Sequence, residues 1–73
     1  MSKPPIPPMS TLTEKQLDYV QAMCITDGKD GDIAREIGVS SKNVVMVLAQ
    51  ARKAVGVKSR VQLAIWAVRV GLA

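Results

Sequence analysis

A chain of 73 residues has room for one domain with a thin core, and a domain of this size is marginal unless stapled or associated. With one cysteine and no histidine, it excludes an intramolecular disulfide, a histidine-based metal site and most general acid–base chemistry. Net charge is +4, but unevenly spread: all six acids lie between Glu14 and Glu36, whereas only cations (Lys42, Arg52, Lys53, Lys58, Arg60 and Arg69) follow Gly38. Such a polarised surface suits phosphate backbones or acidic partners. No apolar run reaches the ~18 residues that span a membrane. The opening MSKPPIPPMS is not a signal peptide, because its prolines interrupt any apolar segment. Nor do the isolated glycines form a phosphate-cradling loop. The expectation is a cytoplasmic binding module with no membrane association, cofactor or metal, and not an enzyme.

All four prolines fall in the first ten residues, so residues 1–11 read as a flexible arm ahead of a domain at 12–73. Thr13 and Gln16 have the spacing of a capping box, with Leu12 and Leu17 as its hydrophobic staple. They open a helix over about Glu14–Ile25, whose Leu17, Val20 and Cys24 recur at helical spacing with Tyr19 and Met23 on a flank. TDGKD (26–30) is a turn. A short helix follows over about Gly31–Ile37, with an apolar stripe of Ile33, Ala34 and Ile37 and a stop at Gly38. Ser40 caps a third helix running to Val55, with Val44, Val47, Leu48, Ala51 and Val55 on one side and Gly56 as its stop. Ser59 and Gln62 form a second capping-box pattern opening a fourth helix to about Val70, before Gly71. The β-branched run VVMV sits between a serine cap and a glycine stop at helical length, so it reads as helix. The fold class is all-α with four helices.

The second and third helices meet across Gly38-Val39-Ser40. Small Ala34 lets the helices approach, Gly38 makes the turn, and Val44 packs the third helix back onto the second, with Ile33, Ile37 and Val47 completing the contact. That is a helix-turn-helix, whose second helix can enter a major groove.

At these residues the chain resembles the LuxR-type (GerE-like) helix-turn-helix domain, over residues 12–73. Leu12-Thr13-Glu14 looks like the family's opening. Asp32 to Ser40 (DIAREIGVS) looks like its central motif, and Ser41-Lys42-Asn43-Val44 like the start of its recognition helix. Gly56-Val57, Arg60, Ala64 and Gly71-Leu72 resemble its closing segment. The resemblance implies a four-helix domain that binds double-stranded DNA, often dimerises through its last helix, and is usually fused to a sensor or receiver domain. Here it is read as standing alone, in a bacterial or phage setting. The chain departs from the family where Val45, Met46 and Val47 stand at positions that are commonly basic or polar. The loop before the second helix is also about one residue longer, with polar residues in place of its usual leucine.

The expected DNA contacts are Ser41, Lys42, Asn43, Val45, Met46, Arg52, Lys53, Lys58 and Arg60. The cations and the helix N-termini hold phosphate, while Val45 and Met46 can touch thymine methyl groups. The fourth helix is apolar all round, which a monomer this small can hardly enclose. Val61, Ala64, Ile65, Val68 and Leu72 are expected to pack inward. Leu63, Trp66, Ala67 and Val70 are expected to face a second copy, with Trp66 as the anchor. A dimeric DNA-binding transcription regulator is the first reading. The second is a stand-alone anti-activator or decoy that pairs with a LuxR-type regulator protein through the last helix or through the Val45–Met46 patch.

Overall fold

The computed structural model describes residues 6–73. Its helices are α1 (Glu14–Ile25), α2 (Asp30–Ile37), α3 (Ser41–Val55) and α4 (Arg60–Arg69), preceded by a single 3-10 turn at Met9–Thr11. There is no strand among the described residues.

Each helix start has a local cause. At α1 the capping box is complete: the Gln16 backbone N–H donates to Thr13 Oγ1 (3.2 Å), and the Thr13 N–H donates to Gln16 Oε1 (3.0 Å). At α3 the Asn43 N–H donates to Ser40 Oγ (3.1 Å). At α4 the Gln62 N–H donates to Ser59 Oγ (3.2 Å), but the reciprocal half of the expected box is displaced by one residue. Gln62 Oε1 accepts from the Lys58 N–H (2.7 Å), so this side chain closes the preceding loop as well. α2 has no side-chain cap; Asp30 and Asp32 in its first turn complement the helix dipole instead.

The helices enclose one apolar core in which Val20, Ile33, Val44, Leu48 and Leu63 are fully buried, and no charged or polar residue is buried among the described residues. On α1 the inward stripe is Tyr19, Val20, Ala22 and Met23, while Leu17 and Cys24 sit at its margin. The buried face is thus rotated towards the bulkier Tyr19 and Met23. Half-burial pushes the Cys24 thiol above its usual pKa, which keeps it protonated and a poor nucleophile at neutral pH.

The two faces of α4 are largely the reverse of those expected; of the five residues expected inside, only Ala64 and Leu72 pack against the core. Leu63, Trp66 and Ala67 are inside, none more than 3% exposed, and Val70 is half-buried against the core. Val61, Ile65 and Val68 are outside, at 69%, 48% and 63% exposure. With two apolar stripes to choose from, the helix buries the one carrying its largest side chains, because buried area sets the gain.

That choice also fastens the arm. A buried indole N–H needs an acceptor, and Trp66 Nε1 donates to the Pro7 carbonyl (2.6 Å). From Pro7 onward the arm is therefore strapped to α4 rather than free; the rest of it, residues 1–5, lies outside the described residues. Removing residues 1–8 takes away this acceptor. Fluorescence of Trp66, the sole tryptophan, is expected to shift to the red. Loss of about 1 kcal/mol is expected to lower the melting midpoint by about 4–8 °C. Unchanged emission and midpoint would show that the strap contributes nothing.

Candidate nucleic-acid interface

α2 and α3 are set by the turn between them. Gly38 ends α2 in the left-handed region (φ 86°), a conformation that a side chain disfavours. The N–H groups of Gly38 and Val39 both donate to the Ala34 carbonyl, at 2.8 and 3.0 Å. Ser40 then caps α3 two residues later, and fully buried Val44 seats that helix on the same core that takes in Ile33 and Ala34. A second tie comes from α1, where the Tyr19 hydroxyl donates to Asn43 Oδ1.

With the inner side of α3 fixed by Val44, Val47, Leu48, Ala51 and Val55, its outer side follows from helical spacing. Lys42, Val45, Met46, Gln50 and Lys53 are exposed and Ala49 is half-buried along one outward stripe. Val45 and Met46 are about half exposed (47% and 51%). An open groove of about 480 Å³ lies at the start of this stripe, lined by Ser40, Lys42, Asn43, Val45 and Met46. Val47 is in the core and takes no part in the outer surface.

The nine residues expected to contact DNA divide into two groups. Ser41, Lys42, Val45, Met46, Lys53 and Lys58 are exposed. The other three have structural work. Asn43 is half-buried and accepts from Tyr19. Arg52 Nη1 donates to the Lys58 carbonyl (3.1 Å), bracing the α3–α4 connection. Arg60 pairs with Asp30 and donates from Nη1 to the Gly28 carbonyl (3.1 Å), so it ties the start of α4 to the loop before α2. These arginines are positioning residues of the scaffold: Arg52 holds one carbonyl, and Arg60 holds a carbonyl and a carboxylate oxygen. Gln50 is the residue that the sequence reading passed over. Its signal was available, since it lies eight residues beyond Lys42 on the same helical face.

The acids gather elsewhere. Asp27, Asp32 and Glu36 line a separate open groove with Thr26 and Arg35, where Arg35 pairs with Asp32 at 3.3 Å. The outward stripe of α3 carries no acid.

No family model matches this chain, and no curated protein or solved structure matches it either.

The division among the cations is measurable. Arg60→Ala is expected to cost about 1 kcal/mol in urea unfolding, a value discounted for the partial exposure of its ion pair. Lys53→Ala is expected to stay within about 0.5 kcal/mol of the parent. Equal losses from the two substitutions would remove the distinction between scaffold and free cations.

Proposed function

We propose that this chain is a small DNA-binding transcription regulator of the LuxR-type helix-turn-helix class, acting as a dimer in the cytoplasm, with α3 as the helix that enters the major groove. The carrying observation is the outward stripe of α3: Lys42 and Lys53 stand free on a helix whose caps and inner packing are satisfied by the chain itself. Lys58 adds a third free cation in the connection to α4. Lys42 lies in the first turn of α3, where backbone N–H groups also favour phosphate. These contacts grip the backbone, and the apolar middle of the stripe meets the bases.

The dimer surface in this reading is Val61, Ile65 and Val68. Their spacing puts them on one face of α4, and all three are exposed. An apolar stripe of this kind gains by covering itself with a second copy. Two copies joined there would present two α3 helices to neighbouring half-sites.

A second reading has the same exposed apolar residues as its support. Val45 and Met46 replace the polar side chains usual at these positions in the family, and methionine adapts to varied protein surfaces. An anti-activator would pair through them, or through α4, with a LuxR-type regulator and lift it from DNA. Mixing the chain with such a purified regulator and following the regulator's DNA complex by sedimentation separates the two readings.

Salt titration of duplex binding tests the first. Three free lysines per copy predict that log K falls with log salt with a slope of about −2.7 per copy. Lys42→Ala is expected to reduce the slope by about 1 without changing sequence preference. Absence of any shift at low salt, with any duplex, would end the DNA reading. Ile65→Asp is expected to give a monomer of unchanged helicity by analytical ultracentrifugation and circular dichroism; an undiminished dimer would exclude this face.

A further inference from the structure

The outward stripe of α3 holds a restricted set of side chains between its two lysines. Val45, Met46 and Ala49 are apolar, and Gln50 offers one amide. No carboxylate is on this stretch to accept from cytosine N4, and no arginine is there to bridge guanine O6 and N7. Apolar side chains match the 5-methyl group of thymine, and a glutamine amide matches adenine N6 and N7 in bidentate fashion. From Val45 to Gln50 the helix advances about 7.5 Å, a little over two base-pair steps of about 3.4 Å. Lys42 and Lys53 lie about 16 Å apart along the axis, bracketing this stretch on a groove about 12 Å wide. The scaffold holds the stripe in place, since Tyr19 ties Asn43 from behind and Val44 and Val47 seat the helix in the core.

We infer that α3 selects major-groove sites by their methyl groups: Val45 and Met46 read the 5-methyls of adjacent pyrimidines, and Gln50 reads a neighbouring adenine, so that A·T-rich duplex is preferred. This inference rests on the DNA-binding reading and adds the chemistry that is recognised. It also implies that 5-methylcytosine is a partial substitute for thymine, because it presents the same methyl at the same place.

The test uses the full chain and four duplexes of equal length at one salt concentration. One alternates adenine and thymine, and the second replaces every thymine with deoxyuridine, which removes only the methyl. The third alternates guanine and cytosine, and the fourth carries 5-methylcytosine in place of cytosine. Binding is expected to weaken about fourfold for each contacted methyl lost, the ratio that corresponds to one buried methyl group. The methylated G·C duplex is expected to bind more tightly than the unmethylated one. Met46→Ala and Val45→Ala are expected to narrow the thymine–deoxyuridine difference. Gln50→Ala is expected to keep that difference while weakening the A·T duplex. All three residues are exposed, so circular dichroism is expected to show an unchanged fold. Full-strength binding with equal affinity for the thymine and deoxyuridine duplexes overturns the methyl inference and leaves DNA binding standing. Failure to bind all four duplexes at low salt overturns both.

Discussion

Everything on the outer side of α3 depends on how its inner side is held, and that begins at the Ala34 carbonyl. This oxygen accepts from both Gly38 and Val39, which is possible only because Gly38 turns left-handed. The chain then has two residues in which to reverse before Ser40 caps the next helix. A link so short leaves little freedom of rotation about α3, and Val44 and Val47 enter the core as a consequence. The same double acceptance recurs at Gly56, where Gly56 and Val57 both donate to the Arg52 carbonyl, at 2.9 and 3.0 Å. One stop device, used twice, delimits the helix that carries the exposed stripe.

Polar side chains hold the connections rather than the core. Thr26 Oγ1 donates to the Ala22 carbonyl (2.8 Å) and accepts from the Gly28 N–H (3.2 Å), closing the loop after α1. Arg60 grips the same loop from α4, and Arg52 and Gln62 grip the connection between α3 and α4. With no polar residue buried among the described residues, specificity of packing falls to these peripheral ties and to side-chain shape. In a domain with so little to bury, each tie is a sizeable share of the total stability.

The helix boundaries were legible in the sequence because caps and stops are local events. Thr13, Ser40, Ser59, Gly38 and Gly56 act within four residues of themselves. Which way α4 faces was not legible. Both of its stripes are apolar, so periodicity sets the spacing and leaves the choice of side to tertiary packing. The side-chain volumes of Leu63 and Trp66 decide it. The roles of Arg52 and Arg60 escaped for a related reason. A cation in a basic stretch reads as solvent-facing, and nothing nearby reveals a carbonyl acceptor at Gly28, thirty-two positions away. Of the outward stripe, Lys42, Val45, Met46 and Lys53 could be read directly, whereas Gln50 shares their helical face but has neither charge nor apolar surface to single it out.

The bond between the Trp66 indole and the Pro7 carbonyl joins positions 59 apart in the chain. It links the first described residues to the last helix, so these two segments share one anchor. Helical domains ordinarily fray from their termini inward, each end independently. Here, loosening the final helix withdraws the donor that secures the opening segment, and loosening the opening segment uncovers the ring that secures the final helix. The segment around Pro7 and α4 are thereby tied, so that an opening of either removes a contact of the other.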